Sequence, residues 1–256
     1  MNGTLPQLNK PRRPVAFIAF SLILVFLIAS LTGLGVWQVH RLAWKEDLIA
    51  RVDARVHADP VVAPSRSEWS QIDGEKDEYR KVSATGTFDH SHETLVFAST
   101  QLGAGYWVMT PLHVSDGTTI LINRGFIPSD KRDAATRLEG NRSGTTTIIG
   151  LLRLTEPKGT LLKSNVPNED RWYSRDIAAI AAKRDLKDVA PYFIDADATP
   201  NPGGYPVGGL TVISFPNNHL VYAITWFAMA IMCAGMLIYL THHHLIRRHE
   251  PGMDDS

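Results

Sequence analysis

Two long apolar runs stand out in the pattern of hydrophobic and polar residues, one near each end of the chain. Residues 15–36 and 220–240 contain no charged side chain. A helix rises about 1.5 Å per residue, so about 20 apolar residues cross a hydrocarbon core of roughly 30 Å. A buried core helix would instead show a polar stripe at the helical period. The pattern therefore predicts two transmembrane helices, over residues 15–37 and 219–240.

The first run is longer than the core of a cleaved signal peptide, which typically has about 7–15 apolar residues. It is followed by Trp37, a residue type that favours the membrane interface. We therefore expect an uncleaved anchor. The short segment before the run leaves no room for an organellar transit peptide, which favours a protein of the bacterial cell inner membrane.

Basic residues set the expected orientation of the two helices. Arg247 and Arg248 follow the second run, whereas the last basic residue before it is Lys187. The two flanks of the first run carry nearly equal numbers of Lys and Arg, so the flanks of the second run determine the expected orientation. Basic residues concentrate on the cytoplasmic side, so we expect both termini there and the middle of the chain in the periplasm. The expected division is a cytoplasmic tail over 1–14, a helix over 15–37, a periplasmic domain over 38–218, a helix over 219–240 and a cytoplasmic tail over 241–256.

Between the two runs, the pattern changes to short β-branched and aromatic segments that are typical of strands. They follow one another without alternating helices, so we expect an α+β, β-rich extracytoplasmic domain with a mainly antiparallel, barrel-like sheet. Ser115-Asp116-Gly117 predicts a hairpin turn, and Gly103-Ala104-Gly105 a turn at a strand edge. The predicted strands are residues 79–88, 93–99, 106–114, 118–127, 145–154, 191–196 and 209–215.

Helical signals surround these strands. Residues 37–56 keep a helical rhythm with charged neighbours, so the first helix should continue for a few turns beyond the membrane. Ser174-Arg175-Asp176 precedes a segment with apolar and polar residues on opposite helix faces. This pattern predicts a capped amphipathic helix. Residues 58–74 and 200–208 are predicted connectors, and residues 129–144 a polar loop with some helix.

Composition and charge exclude several functions. Basic and acidic residues balance at 26 each, so the chain offers no basic field for nucleic acid. The only cysteine is Cys233, inside the second apolar run. The periplasmic domain therefore cannot form a disulfide, a thiol redox site or a Cys-x-x-Cys copper site.

The domain sequence carries no recognisable catalytic motif. It lacks a Gly-x-Ser-x-Gly turn, a phosphate-binding Walker loop and a His-Glu-x-x-His zinc pair, and we expect no enzyme. Asp195 and Asp197 share a strand face and are either cation ligands or solvated carboxylates. His90 and His92 share a face but lack a third ligand. His242-His243-His244 is either a metal site or a solvated segment beside the membrane.

The apolar runs carry the more informative residues. Small residues four positions apart let helices approach closely in lipid, and the first run has Ala29 and Gly33 before Trp37. His219 and Trp37 lie at the outer ends of the predicted spans, with His40 one turn further. An imidazole at that depth is either an axial ligand for a haem or an interfacial anchor or cap. The corresponding stripe of the second run is formed by His219, Ala223, Trp226, Ala230 and Cys233.

Several motifs follow one another in order between the two runs. They are Gly35-Val36-Trp37-Gln38-Val39-His40-Arg41-Leu42-Ala43-Trp44-Lys45, Tyr79-Arg80-Lys81-Val82, Gly86-Thr87-Phe88-Asp89, Gly105-Tyr106-Trp107-Val108-Met109-Thr110-Pro111-Leu112, Ile122-Asn123-Arg124-Gly125-Phe126-Ile127-Pro128, Trp172-Tyr173-Ser174-Arg175-Asp176 and Pro216-Asn217-Asn218-His219-Leu220-Val221-Tyr222-Ala223-Ile224-Thr225-Trp226. Together they resemble the surfeit-locus family of cytochrome c oxidase assembly factors. Phe126 stands where many members have Trp, and His40 departs from the usual pattern.

The resemblance implies a function in the maturation of haem-copper oxidases, at the step where haem a enters the catalytic subunit. It implies that His219 holds haem a, with Trp226, Trp37 and Arg41 lining or supporting the site. The implied partners are the lipid bilayer, the catalytic subunit of cytochrome c oxidase and, as a second candidate, haem a synthase. The protein would be a holder or chaperone rather than an enzyme.

Two other functions stay open. The protein could be a cofactor-free scaffold that grips the oxidase catalytic subunit during assembly. Membrane-anchored organisers of polysaccharide export also flank an outer domain with two spans, but their domains are rich in helix and heptad repeats, which this sequence lacks.

Overall fold

The computed structural model describes residues 13–157, 159–160 and 163–249. They form two compact units, one up to Ile49 and from Phe215 onward, the other over Ala50–Ser214. Residues 1–12 and 250–256, which belong to the two expected tails, lie outside the described residues. The elements are helices α1 (Arg13–His57), α2 (Gly74–Asp77), α3 (Ile177–Lys183) and α4 (His219–His249), and strands β1 (Val61–Val62), β2 (Lys81–Phe88), β3 (Thr94–Thr100), β4 (Gly103–Val114), β5 (Thr119–Pro128), β6 (Thr145–Leu154) and β7 (Val189–Ala196).

The two long helices, α1 and α4, have the length and composition of membrane spans. The candidate segments are Val15–His57 and His219–Ile246, and they contain both predicted spans. α1 has 45 residues and ends only at His57, which confirms that its helical pattern extends beyond the apolar run. Arg55 and His57 lie in its last turn, where the helix dipole favours basic side chains.

Five strands of the second unit close into a ring. Hydrogen-bonded neighbours follow the order β2, β6, β7, β5 and β4, and residues 86–88 of β2 pair back with residues 112–114 of β4. Every neighbouring pair in the ring is antiparallel except β5 with β7. Outside the ring, β1 pairs with β2 and β3 pairs with β4. The prediction of a β-rich domain with a mainly antiparallel, barrel-like sheet is therefore confirmed.

Apolar side chains form one core inside the ring and a second core on its outer face. β5 contributes to both, so nearly all its residues are buried and the strand lacks the usual alternation. All five ring strands contribute to the inner core, which includes Val82, Leu112, Ile122, Leu152, Tyr192 and Ile194. α3 covers the outer core, which includes Val96, Met109, Leu121, Trp172, Ile177, Ile180 and Phe193.

The predicted capped helix is confirmed as α3. The Asp176 carboxylate accepts a hydrogen bond from the Ala179 backbone N–H and so caps the first turn. The Ser115-Asp116-Gly117 turn is confirmed as well, because the backbone N–H of Val114 donates to the carbonyl of Thr118 across it.

Residues 209–215 do not form a strand, so that prediction is wrong. Val207 makes one antiparallel bridge to Phe126, and the chain then turns at Gly209, whose φ is +73°. β7 offers no open edge there, because β5 and β6 already pair with it on both sides. The turn predicted at Gly103-Ala104-Gly105 lies directly before these residues, at positions 101–102, and Gly103 begins β4. The predicted connector after α1 contains β1 and ends where α2 begins, at Gly74.

Gly125 is the position in β5 where the fold depends on the absence of a side chain. Its φ is +130°, and a β-carbon there would lie 2.2 Å from the Val207 carbonyl oxygen. We expect Gly125→Ala to lower the free energy of unfolding by more than about 3 kcal/mol, because strain and a backbone clash add. The measurement is thermal or urea unfolding of the full chain in detergent.

Gly117→Ala is the matched control for this substitution. Gly117 also has a positive φ, of +86°, but nothing lies within 4 Å of a β-carbon there. In Gly117→Ala, backbone strain alone should lower the free energy of unfolding by about 1 kcal/mol. Equal losses in the two variants would contradict a role for the close contact between Gly125 and Val207.

Candidate functional site

α1 and α4 pack along one face of each helix within the first unit. On α1 this face contains the buried residues Leu24, Gly35 and Gln38. A β-carbon at Gly35 would lie 2.6 Å from the Phe227 ring of α4, so any larger residue would require that ring to shift. The missing side chain therefore lets the two helices meet without a gap.

The packing face of α4 is the predicted stripe. Ala223 and Ala230 are buried, with 2% and 6% of their surfaces exposed, and His219, Trp226 and Cys233 are half-buried. The predicted line on α1 is wrong: Ala29, Gly33 and Trp37 are exposed and belong to another face. Residues two positions apart on a helix point about 200° away from each other. The glycine that meets α4 is therefore Gly35.

One polar pair crosses this otherwise apolar helix contact. His219 Nδ1 lies 2.7 Å from Gln38 Oε1, and Gln38 is only 8% exposed. An amide oxygen only accepts hydrogen bonds, so Nδ1 is the protonated nitrogen and donates. In the neutral ring, Nε2 then keeps its lone pair. Within the described part of the chain, no side chain hydrogen-bonds to Nε2.

Trp226 lies on the same face of α4, two turns from His219, which is about 10 Å along the helix. Its indole Nε1 is buried and has no hydrogen-bond partner among the described residues. A buried N–H without an acceptor is rare in proteins. This face of α4 therefore presents a nitrogen lone pair and an unsatisfied indole donor, a set that suits a large apolar ligand with a metal and polar substituents.

The other predicted site residues lie elsewhere on α1. Trp37 is 56% exposed, and the Arg41 guanidinium stacks over the Trp44 ring at 4.0 Å. His40 is exposed. The structure thus places His219 and Trp226 on one face and brings neither Trp37 nor Arg41 to them. Gln38, which does contact His219, was not among the residues predicted from the sequence. The available signal was its spacing of three residues from Gly35, which places both residues on one face of α1.

The second unit contains a cavity of about 530 Å³ beside the ring. Asp195 lies in its wall and is 3% exposed. Its carboxylate is 3.0 Å from Arg175 Nη1 and 3.1 Å from Arg153 Nη1, and it accepts hydrogen bonds from Asn123 and Thr211. Asp195 is therefore neither a free cation ligand nor a solvated carboxylate, the two alternatives that the sequence left open.

Burial and charge balance each other around this carboxylate. Burial alone would lower the pKa of Arg175, but Asp195 and Glu156 outweigh it and raise that pKa. Burial likewise opposes ionisation of Glu156, yet hydrogen bonds and charge from Arg175 lower its pKa. Because Glu78 also binds Arg153, at 3.3 Å, the arginines are neutralised. The two guanidinium groups thus face three carboxylates, and both are fully paired.

The remaining candidate ligands are already engaged. His90 Nε2 contacts the Arg142 carbonyl oxygen at 3.0 Å, and burial lowers the pKa of its ring. His92 bonds Asp89 at 2.5 Å. His244 stacks on Phe17. Within the described ranges, no group of three His, Cys, Asp or Glu side chains could hold a metal ion.

Comparison with known proteins gives a consistent match. The sequence matches the model of the SURF1 family over residues 25–231. Surfeit locus protein 1 of Rattus norvegicus is 38% identical over 90% of this chain and 76% of its own length. That of Homo sapiens is 37% identical over 84% and 74%, and a SURF1-like protein of Monosiga brevicollis 36% over 81% and 82%. These matches confirm the resemblance that the motifs predicted.

Removal of Asp195 should strongly destabilise the second unit. Asp195→Ala leaves two largely buried guanidinium groups without their shared carboxylate, so we expect a loss of about 3–5 kcal/mol in the free energy of unfolding. Glu169→Ala breaks an ion pair with Arg171 in which both side chains are more than half exposed, and should cost less than about 1 kcal/mol. Urea unfolding of both variants in detergent measures the difference; similar losses would contradict it.

The depressed pKa of Glu156 predicts an acid-sensitive unit. Its folded-state pKa lies below the ordinary value of 4.5, so its contribution to stability is present above that pH and is lost as pH falls through the folded-state value. Glu156→Gln should lower the thermal midpoint at pH 7 and reduce its fall between about pH 5 and pH 3. Glu75→Gln, at an exposed position, should follow the wild type. An unchanged acid profile in Glu156→Gln would refute this.

Proposed function

The chain belongs to the SURF1 family, whose members are known as oxidase assembly factors, and we propose that it holds haem a for delivery to the catalytic subunit of a haem-copper oxidase. In this proposal haem a is cargo rather than a resident cofactor. The proposal extends the assembly role of the family to one ligand and one residue, His219.

The orientation of the His219 ring is the observation that carries the proposal. Its Nδ1 donates a hydrogen bond to the side-chain oxygen of Gln38. In the neutral ring this leaves Nε2 unprotonated, and an unprotonated imidazole nitrogen is the group that ligates a metal. His219 is the first residue of α4, at the end of a candidate span. A histidine at the edge of a bilayer can reach a haem whose apolar ring lies against the helices.

The neighbours of His219 give the ligand its proposed surroundings. Ala223 and Trp226 continue the same face of α4 below the imidazole. The unsatisfied Trp226 N–H would be a donor for an oxygen substituent of the porphyrin. When bound, the haem would supply an iron for coordination and a large apolar surface for packing.

Trp37 and Arg41 have a supporting role in this proposal. Both lie at the same end of α1 as Gln38: Trp37 is exposed on a different face, and Arg41, one turn after Gln38, stacks over Trp44. Arg41 is a cation that could pair with a haem propionate at the membrane edge. We assign Trp37 to the interface, where an exposed indole is favourable.

We further propose that the protein is an integral component of the bacterial cell inner membrane. The two candidate spans support membrane insertion, and Arg247 and Arg248 support an orientation with both termini in the cytoplasm and residues 38–218 in the periplasm. The partners would be the oxidase catalytic subunit, which receives the haem, and haem a synthase, which supplies it. The protein would act as a chaperone and not as an enzyme.

A cofactor-free scaffold is the second candidate. It is favoured by the exposed apolar side chains Leu102 and Val212 of the second unit, 55% and 71% exposed, which offer contacts for another protein. The polysaccharide-export alternative called for a helix-rich domain with heptads, whereas the described strands form a closed ring.

The absorption spectrum of the purified protein tests the proposal. We expect the full chain, purified in detergent after co-expression with haem a synthesis, to show a Soret band. His219→Ala should abolish that band because it removes the ligand nitrogen. His40→Ala, an exposed histidine at the same end of α1, should leave the band unchanged and is the matched control.

Two results would overturn the haem proposal. One is a wild type that carries no pigment while haem a is abundant; copurification with the catalytic subunit would then favour the scaffold. The other is a His219→Ala variant that keeps the wild-type spectrum and haem content.

A further inference from the structure

We propose that Gln38 is a positioning residue for His219: it fixes the tautomer and orientation of the imidazole so that Nε2 is the nitrogen presented to haem. The inference rests on the proposed function and concerns the same site. Its basis is the hydrogen bond of 2.7 Å that joins α1 to α4.

The burial of Gln38 calls for an explanation. A primary amide that is 8% exposed within a helix contact costs free energy unless it is hydrogen-bonded. Its oxygen makes a hydrogen bond with His219, and the other buried positions on this face, Leu24 and Gly35, are apolar. A leucine would pack here without this cost, so the amide has a function that apolar packing cannot supply.

The hydrogen bond selects one of two imidazole tautomers. A ring that donates from Nδ1 to an amide oxygen must carry its proton there, which leaves Nε2 as the only possible ligand. In metal sites, the second ring nitrogen of a ligating histidine almost always donates to a carboxylate, a carbonyl or water in this way. Gln38 and His219 have this arrangement in the structure.

The neutral charge of Gln38 suits a ligand that must be released. A carboxylate partner would draw the Nδ1 proton toward itself and make the imidazole a stronger donor to iron. An amide oxygen orients the ring without that increase in basicity. The chain thus combines a fixed ligand with moderate affinity, as delivery of a cargo requires.

The packing around the pair holds it in place. Gly35 lies one turn before Gln38 and meets the Phe227 ring, and Ala223 lies one turn after His219 and is 2% exposed. These small residues bring α1 and α4 close enough for a direct hydrogen bond rather than one through water. Neither side chain of the pair needs to move to present Nε2.

Three variants separate positioning from simple helix packing. Gln38→Leu keeps the volume and removes the acceptor, whereas Gln38→Glu keeps an acceptor and adds charge. Leu24→Ala loosens the same face of α1 at a buried residue about 20 Å along the helix from Gln38. Haem affinity is measured by titration of the detergent-purified proteins, and the tautomer of His219 by ¹⁵N NMR of the haem-free, histidine-labelled chain.

We expect Gln38→Leu to weaken haem binding by about 10–100-fold and to convert the single Nδ1–H tautomer of His219 into a mixture. Gln38→Glu should bind haem at least as tightly as the wild type and shift the reduction potential of the bound iron to a lower value. Leu24→Ala should keep the wild-type tautomer and an affinity within about threefold of the wild type.

The outcomes distinguish this inference from the proposed function. If His219→Ala loses haem while Gln38→Leu keeps wild-type affinity and tautomer, the role of Gln38 is refuted and the haem proposal stands. If Leu24→Ala weakens binding as much as Gln38→Leu, Gln38 only packs, and the inference is again refuted. A wild type without haem would overturn both proposals.

Discussion

Polar groups that leave water must find partners within the protein, and this protein meets the requirement differently in its two units. In the first unit, long helices satisfy their own backbone groups and can therefore cross a bilayer. In the second, a closed ring of strands pairs the backbone of β2, β4, β5, β6 and β7 on both sides. The buried side chains follow the same constraint, since Asp195 is held by two arginines and Gln38 by His219.

One departure from this constraint lies within the proposed site. The Trp226 N–H is buried without an acceptor among the described residues, on the same face of α4 as His219 and two turns from it. In the second unit, the arginines beside the large cavity are paired with carboxylates. The candidate ligand groups therefore lie in the helix pair, while the barrel supplies a stable fold.

Much of the fold could be predicted from the sequence, because apolar runs, β-branched segments and turn residues are local signals. The spans, the extension of α1 and six of the seven predicted strands are found. The strand over 209–215 failed because a strand also needs an open edge, and no local pattern shows which edges are taken. The face of α1 that packs against α4 was missed for a related reason. A helix that is apolar on all sides has no polar pattern that shows which side contacts another helix. Gly33 was therefore chosen instead of Gly35, and Gln38 was overlooked. Asp195 was misjudged because its arginine partners, Arg153 and Arg175, come from distant positions in the chain.

The single parallel pair in the ring has a consequence for biosynthesis. β5 pairs with β7 through Thr119 and Val189, which are far apart in the chain, so β5 must wait for its second neighbour while the intervening residues are made. Contacts at such separation close slowly, because the entropy of a long loop must first be overcome. The ring cannot close before β7 leaves the ribosome, and α4 follows soon after. Closure of the barrel and synthesis of the second apolar helix therefore follow each other closely, and until then the apolar residues of β5 lack their second partner strand.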